Sequence, residues 1–248
     1  MTGLAIVTGG GRGIGAAICL ELAKRGFDIC INYRVDEAAA MTVKTHVEAY
    51  GMRAMTVRAD VAIEVEIVNL FERATDELGP LRALINNAGI LRPQMRVETM
   101  SAERVDTILR TNVTGTLICC REAVLRMSTA KRGDGGSIVN ISSAAARLGS
   151  ANEYVDYAAS KGAVDTLTKG LSLEVAREGI RVNGVRPGFI DTDMHADGGE
   201  PGRVHRLAPQ IPLGRGGTVE EVASAVGWLV SDEASYVTGT FIDVAGGR

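Results

Sequence analysis

The sequence predicts a doubly wound α/β fold of the Rossmann type, in which helices cover both faces of a seven-stranded parallel sheet. Three observations predict it. Short β-branched segments alternate along the chain with longer segments whose apolar residues recur about every 3.6 positions. The short segments are almost continuously apolar, as strands buried on both faces must be. A glycine-rich stretch, IVTGGGRGIG at 6–15, joins the first short segment to the first long one.

Predicted strands and helices alternate along the chain. The strands are predicted at 4–8, 28–33, 53–59, 82–87, 137–142, 180–186 and 239–244. The helices are predicted at 13–25, 36–50, 64–78, 101–128, 154–178 and 219–231. Because strand–helix–strand units cross over with a right hand, this order predicts parallel pairing. The segment 191–218 follows neither pattern, and a loop of that length is typical of a substrate lid.

The bulk composition is that of one globular domain spanning 1–248, with 46% hydrophobic residues. The net charge of −3 comes from residues spread along the chain, which argues against nucleic acid as a partner. No run of about 18 apolar residues occurs, which argues against a membrane span. The four cysteines lack metal-ligand spacing with the three histidines, so we expect no metal site and a reducing, cytoplasmic compartment.

The glycine-rich stretch follows a strand and precedes a helix, which is where a doubly wound fold binds a dinucleotide. The pyrophosphate of such a ligand lies against the amino end of the helix. Gly9 would allow the turn, Gly13 would let a phosphate approach the backbone, and Gly15 would let the helix pack on the strand. The pattern is Thr8-Gly9-x-x-x-Gly13-x-Gly15 rather than the usual GxGxxG.

This glycine pattern resembles the cofactor loop of the short-chain dehydrogenase/reductase family, classical type. The resemblance extends over nearly the whole chain, through further motifs in the family's order. They are NNAG at 86–89 after the fourth strand, Asn112 in the next helix, SS at 142–143 ending the fifth strand, Tyr157-x-x-x-Lys161 opening the following helix, and RPGFIDT at 186–192 after the sixth strand.

The resemblance implies hydride transfer between a nicotinamide cofactor and the carbonyl or secondary alcohol of a small molecule. It implies that Tyr157 handles the proton, Lys161 holds the nicotinamide ribose, Ser143 hydrogen-bonds the reacting oxygen and Asn112 supports a water chain. The implied cofactor contacts are Gly9, Arg12, Gly13, Ile14, Gly15, Arg34, Asp60, Val61, Asn87, Ala88, Gly89, Tyr157, Lys161, Pro187, Gly188, Ile190 and Thr192. It also implies a homotetramer built by the helices 101–128 and 154–178 and the region of the last strand.

A tyrosine that acts as an acid needs a pKa brought down from about 10 toward neutrality. Lys161 lies one helical turn beyond Tyr157 on the same face, so its charge is predicted to favour the phenolate. Two alternatives stay open, because Tyr154 lies on nearly the same face and Ser142 is adjacent to Ser143. Spacing favours Tyr157, and the resemblance favours the second serine.

The loop 144–155 departs from the family pattern. The interval from Ser143 to Tyr157 is 14 residues, one more than the family's commonest spacing. The extra residue is predicted to lie beside the substrate and to change the shape of its pocket.

The end of the second strand distinguishes NADP from NAD. An NAD enzyme places an acidic residue there for the ribose 2′-hydroxyl, whereas NADP requires positive charge for the 2′-phosphate. The strand ends Asn32-Tyr33-Arg34, and Arg12 lies in the glycine loop. Asp28 begins the strand and therefore lies at the wrong end. NADP is the predicted cofactor, with NAD as the alternative.

The substrate is less constrained than the cofactor. Candidates to contact it are Arg147, Glu153, Tyr154 and His195. The first hypothesis is a carbonyl reductase or an alcohol or sugar dehydrogenase, including the glucose 1-dehydrogenase type. The second is a 3-oxoacyl-[acyl-carrier-protein] reductase, which requires a basic patch for its acidic carrier; the candidates for that patch are Lys131, Arg132 and Arg177. The third is a dinucleotide-sensing protein without catalysis, which would not need the Ser, Tyr and Lys together.

Overall fold

The computed structural model describes residues 2–192, 194 and 198–248. In that part of the chain seven strands form one parallel sheet in the order β3-β2-β1-β4-β5-β6-β7. They are β1 (Gly3–Val7), β2 (Phe27–Tyr33), β3 (Ala54–Arg58), β4 (Leu81–Asn86), β5 (Gly136–Ile141), β6 (Ile180–Pro187) and β7 (Phe241–Val244). The predicted seven-stranded parallel sheet is confirmed.

Helices cover both faces of this sheet. They are α1 (Gly13–Lys24), α2 (Glu37–Glu48), α3 (Glu64–Leu78), α4 (Ala102–Leu109), α5 (Thr116–Met127), α6 (Ala145–Leu148), α7 (Val155–Val175), α8 (Arg203–Leu207) and α9 (Val219–Val230). Among the described helices, none is long and apolar enough to span a bilayer.

Two buried layers explain why the strand segments are continuously apolar. Ala5 and Val7 of β1 pack with residues of α1, α2 and α9, whereas Leu4 and Ile6 pack with residues of α3, α5 and α7. Successive side chains of a strand point to opposite faces, so a strand with helices on both sides needs an apolar residue at every position.

The single helix predicted at 101–128 is wrong, because a π-helical segment at Arg110–Gly115 separates α4 from α5. The segment packs tightly on the chain after β3: a Cβ atom on Gly115 would lie 2.5 Å from the carbonyl oxygen of Val61. Its Asn112 side chain bonds the backbone of Ile90. Such local widening of a helix is frequent at functional sites.

The strand order reverses at β1, which has β2 on one side and β4 on the other. A ligand crevice forms at such a point, outside the carboxyl ends of the strands. Asn87 fastens the two strand ends together, because its Nδ2 donates to the carbonyl oxygens of Thr8 and Gly9, each at 3.0 Å. The backbone N–H of Ala88 donates to Thr8 Oγ1 at 3.0 Å. The loops after β1 and β4 are therefore fixed beside the crevice.

Candidate active site

A cavity of about 440 Å³ lies at the carboxyl edge of the sheet, over the glycine loop. Most of the predicted cofactor residues line it: Gly9, Arg12, Gly13, Ile14, Gly15, Arg34, Asp60, Val61, Asn87, Ala88, Gly89 and Thr192. The structure therefore brings together residues that are spread over most of the sequence.

The backbone of the glycine loop fits a pyrophosphate. Gly9 and Gly13 have φ angles of 62° and 53°, in the left-handed region that glycine adopts without strain. A Cβ atom on Gly15 would lie 2.2 Å from the carbonyl oxygen of Gly9, so a larger residue would force the loop away from α1. The loop leads directly into the amino end of α1, where backbone N–H groups favour an anion.

The end of β2 supplies positive charge to the same cavity. Arg34 is exposed and lies beside Asp60, with 3.8 Å between Nη1 and Oδ2. Asn32 Oδ1 accepts from the backbone N–H of Gly9 at 3.1 Å and so ties this strand end to the glycine loop. Asp28 lies at the opposite end of β2, where it pairs with Arg53 at 2.6 Å. Asp28, which could be mistaken for an NAD marker, thus belongs to an ion pair at the other end of the strand.

A second cavity of about 460 Å³ adjoins the first and shares part of its wall, including Ile14, Asn87, Gly89 and Thr192. Its lining includes Ser143, Tyr157, Lys161, Pro187, Gly188 and Ile190. The Ser, the Tyr and the Lys therefore face the place where the two cavities meet.

The start of α7 positions Tyr157. The carboxylate of Asp156 accepts from the backbone N–H of Tyr157 at 2.9 Å and pairs with Arg104 of α4 at 2.6 Å. Both side chains of this ion pair are largely buried. The first turn of the helix is therefore held against α4. The backbone that carries the Tyr157 side chain is fixed by this contact.

Tyr157, Ser143 and Lys161 form a compact cluster. The hydroxyl of Ser143 lies near the phenol of Tyr157 and lowers the pKa of that phenol. Lys161 Nζ lies 5.7 Å from the centre of the Tyr157 ring and donates to the carbonyl oxygen of Ile141 at 2.7 Å. The cluster thus joins the end of β5 to the first two turns of α7.

The predicted lowering of the Tyr157 pKa is wrong for this structure. Burial raises the pKa of Tyr157 to about 12, and the hydrogen bond with Ser143 offsets only part of that rise. Burial also lowers the pKa of Lys161 to about 8, against an opposing contribution from Asp165. Burial is therefore the largest cause of both pKa shifts, and the phenol is neutral at physiological pH.

The structure separates the alternatives that the sequence left open. The hydroxyl of Tyr154 donates to the carbonyl oxygen of Gly198 at 3.2 Å. The hydroxyl of Ser142 donates to Asp165 Oδ1 at 2.6 Å, away from the cluster that contains Ser143. Tyr157 and Ser143 are the members of each pair that meet beside Lys161.

Asn112 lies behind the cavities rather than in their lining. Its Oδ1 accepts from the backbone N–H of Ile90 at 2.8 Å, and its Nδ2 donates to the Ile90 carbonyl and to Ser160 Oγ, each at 3.1 Å. Ser160 in turn donates to the carbonyl oxygen of Tyr157 at 2.7 Å. The π-helical segment therefore connects the loop after β4 to the first turn of α7.

Known proteins are similar to this chain in both sequence and fold. The family model described as enoyl-(acyl carrier protein) reductase matches residues 9–248. YgfF, an uncharacterized oxidoreductase of Escherichia coli, is 57% identical over 245 residues that cover 99% of each chain. A solved short-chain dehydrogenase/reductase from Serratia marcescens superimposes with a TM-score of 0.91 at 32% identity, covering 99% of this chain and 97% of that one. The chain belongs to the short-chain dehydrogenase/reductase family.

Other members of the short-chain dehydrogenase/reductase family differ in their named activities. A 3-oxoacyl-[acyl-carrier-protein] reductase of Staphylococcus aureus, FabG, is 36% identical over 100% of this chain and 98% of its own. Glucose 1-dehydrogenase 2 of Bacillus subtilis is also 36% identical, over 98% of this chain and 93% of its own. A short-chain dehydrogenase from Burkholderia cenocepacia, solved in complex with NADP, has a TM-score of 0.90 at 33% identity, covering 98% and 96% of the two chains. Overall identity therefore does not select one substrate.

Residues of the loop between β5 and α7 and described residues after β6 line the second cavity. Arg203 of α8 is buried and pairs with Glu153 and with Glu200, with 3.0 Å between Nη1 and a carboxylate oxygen of each. Ser150 and Asn152 have φ angles of 47° and 64°, which are uncommon for residues other than glycine. The loop with the extra residue thus has an irregular conformation and is joined to α8 by the Glu153–Arg203 ion pair.

The substrate candidates have different positions. Glu153 and Tyr154 line the second cavity, whereas Arg147 pairs with Asp243 at 3.2 Å. His195 lies outside the described residues. Sequence reasoning missed Arg203, Gln210 and Arg248, which also line this cavity, because no motif surrounds them.

The proposed carrier-protein patch does not lie at the active site of this short-chain dehydrogenase/reductase. Lys131 and Arg132 precede β5, and Arg177 precedes β6. All three are exposed at the amino edge of the sheet, while the two cavities lie at its carboxyl edge. A carrier patch would have to lie at the carboxyl edge, beside the cavities, and these three residues do not.

Proposed function

We propose that the protein is an NADP(H)-dependent oxidoreductase that interconverts a carbonyl and a secondary alcohol in a small molecule. The proposal depends on the meeting of Ser143, Tyr157 and Lys161 at the junction of the two cavities. The whole chain would act as one catalytic domain, since both cavities are built on the same sheet edge.

Different residues would bind the nucleotide and transfer the proton. The glycine loop, Asn87 and the segment from Pro187 to Thr192 would hold the nicotinamide nucleotide, which supplies or accepts the hydride when bound. Tyr157 would give its proton to the carbonyl oxygen during reduction, and Ser143 would donate a hydrogen bond to that oxygen. A neutral phenol with a raised pKa is in the correct protonation state to act as the acid.

Lys161 would hold the nicotinamide ribose, and Asn112 would support proton return to solvent. The Lys161 ammonium uses one donor on the Ile141 carbonyl and lies near Gly89, where a Cβ atom would be 3.6 Å from Nζ. The same Cβ would be 3.4 Å from Asn112 Oδ1. The absence of a side chain at Gly89 keeps the space between Lys161 and Asn112 open.

NADP is the proposed cofactor because a guanidinium directly follows the end of β2 in the first cavity, which Asp36 and Asp60 also line. Arg34 supplies it, and Arg12 lines the same cavity. An Arg pair is suited to a 2′-phosphate. The NADP in the Burkholderia cenocepacia neighbour supports this assignment.

A small carbonyl compound is the proposed substrate in preference to an acyl carrier protein. The second cavity is walled by Glu153, Tyr154 and Arg203. The three candidates for a carrier patch, Lys131, Arg132 and Arg177, lie at the other edge of the sheet. The activity of the glucose 1-dehydrogenase and 3-oxoacyl reductase relatives makes sugars and 3-oxoacyl thioesters the two compound classes to compare.

The proposed assembly is a cytoplasmic homotetramer. Leu117 and Leu125 of α5 and Leu173 of α7 are exposed apolar residues on the helices that the family pairs between subunits. The four cysteines are free and buried, which suits a reducing compartment.

Initial rates of NADPH oxidation with ketones, aldehydes, quinones, sugar lactones and a 3-oxoacyl thioester test the proposal, together with NADP reduction by sugars and secondary alcohols. We expect turnover with at least one small compound and a lower kcat/KM for the thioester. A protein that binds NADPH but turns over no compound in either direction would favour the sensing hypothesis. A thioester preferred over every small compound would favour the acyl-carrier reductase.

A further inference from the structure

An ion pair outside the catalytic cluster connects α7 to the end of β6. Asp165 Oδ2 accepts from Arg186 Nε at 2.9 Å, and both side chains are mostly buried. Arg186 lies immediately before Pro187 and Gly188, which line the second cavity. Neither residue lines the two cavities, so the proposed reaction does not use them directly.

Asp165 is joined to Lys161 through β5 as well as through its own helix. It lies four residues, about one helical turn, beyond Lys161. Its Oδ1 accepts from Ser142 Oγ at 2.6 Å, and Ser142 Oγ also lies 3.3 Å from the Lys161 carbonyl oxygen. The adjacent Ile141 carbonyl binds Lys161 Nζ at 2.7 Å. The carboxylate therefore fixes the strand end that receives the lysine.

The charged groups around Lys161 form a short series. On α7 they are Tyr157, which is neutral, and Asp165; β6 contributes Arg186, which lies 3.7 Å from Asp243 of β7. Asp243 in turn pairs with Arg147 of α6. The end of β5 and the π-helical segment present the Ile141 carbonyl and the Asn112 amide, which do not titrate. Within the described residues, Asp165 is thus the acid that opposes the effect of burial on Lys161.

We propose that Asp165 is a positioning residue, whose carboxylate keeps the buried Lys161 ammonium protonated, and that Arg186 limits the strength of that effect. A buried ammonium needs a nearby negative charge to remain charged. A guanidinium bound to the same carboxylate acts in the opposite sense. The inference rests on the proposed function only in assuming that Lys161 acts as an ammonium during turnover.

Two single variants should shift the pKa of Lys161 in opposite directions. Asp165→Asn keeps an acceptor for Ser142 but removes the negative charge, so Lys161 should lose its proton at a lower pH. Arg186→Gln removes the competing positive charge, so Lys161 should keep its proton to a higher pH. We expect shifts of roughly 0.5 to 1 pH unit in each direction. The double variant Asp165→Asn/Arg186→Gln, which leaves a neutral pair, should titrate between the single variants.

The direct readout is the NMR titration of the lysine Cε and Nζ signals in protein without nucleotide, with Lys161→Arg used for assignment. The second readout is the alkaline limb of the pH profile of kcat. Asp76→Asn, an exposed carboxylate on α3, is the matched control and should move neither readout. Circular dichroism checks that each variant is folded. If a single variant does not fold, the double variant is titrated in its place.

Opposite displacements of the NMR midpoint in the two single variants support the inference. A midpoint unchanged in folded Asp165→Asn, or displaced in the same direction by both variants, would overturn it. If the midpoint moves as expected while the alkaline limb of kcat stays fixed, the inference stands and the role assigned to Lys161 in the proposed function is wrong.

Discussion

At the scale of single residues, the order of motifs predicted which side chains meet but not their protonation. Helical spacing correctly indicated that Tyr157 and Lys161 lie together, and the structure adds Ser143 to them. The spacing gave no measure of burial, and burial determines both pKa values. The predicted acidic tyrosine was therefore wrong because desolvation depends on contacts from distant parts of the chain.

The first prediction concerns the pH dependence of turnover. Lys161, with a pKa of about 8, is an ammonium below that pH and loses its proton above it. Tyr157 stays protonated throughout, since its pKa is about 12. The rate of carbonyl reduction should therefore fall as the pH rises through about 8. A kcat profile measured from pH 6 to 10 checks this, and a rate that rises across pH 8 would contradict it.

The second prediction concerns Arg34 and the choice of nucleotide. Arg34→Ser removes a guanidinium from the nucleotide cavity, so the KM for NADP should rise about 10- to 100-fold. The KM for NAD should change little, because NAD has no 2′-phosphate. Measuring the KM for both nucleotides on the same variant provides the internal control. An equal rise in KM for both would show that Arg34 does not bind the 2′-phosphate.

At the scale of elements, every strand was predicted to within two residues, and the irregular segments were not. Strand burial leaves a continuous apolar signal, but the π-helical segment at Arg110–Gly115 barely alters the 3.6-residue periodicity. Asn152 has a left-handed φ angle and accepts from Arg96, and the buried Arg203 pairs with Glu153. These contacts join separate parts of the sequence and follow no local pattern.

The third prediction concerns the close packing of the π-helical segment. Gly115→Ala places a Cβ atom 2.5 Å from the Val61 carbonyl oxygen, so backbone must move. We expect a loss of about 1 to 3 kcal/mol in the free energy of unfolding, with reduced turnover because Asn112 shifts. Thr114→Ala, at an exposed neighbouring position, is the control and should leave both nearly unchanged. Denaturant unfolding measures the difference, and two equally stable variants would refute the packing argument.

At the scale of the whole molecule, one sheet edge carries both cavities and the cluster of Ser143, Tyr157 and Lys161, and the proposed assembly would use the helices on the flanks. The fold class followed from alternation and burial, whereas the assembly depends on surfaces that a single chain leaves exposed. Leu173 is 72% exposed on α7, which is one of the helices in the proposed subunit interface.

The fourth prediction concerns that assembly. Light scattering should give four times the 26.1 kDa mass of one chain for the unmodified protein. Leu173→Glu should give a smaller species, because it places a charge in a proposed apolar interface. Val65→Glu, which alters an exposed valine on α3, should remain a tetramer. A monomeric unmodified protein, or a tetramer unaffected by Leu173→Glu, would contradict the proposed interface.

The central claim is that the phenol of Tyr157 transfers the proton, and two neighbouring tyrosines allow a direct test. Steady-state kcat should be compared in Tyr157→Phe and Tyr154→Phe with the best substrate, alongside NADPH affinity from fluorescence titration. Removing the Tyr157 hydroxyl should lower kcat by about 10²- to 10⁴-fold with little change in NADPH affinity. Removing the Tyr154 hydroxyl costs only its bond to Gly198 and should leave most of kcat. Near-normal turnover in Tyr157→Phe would contradict the account.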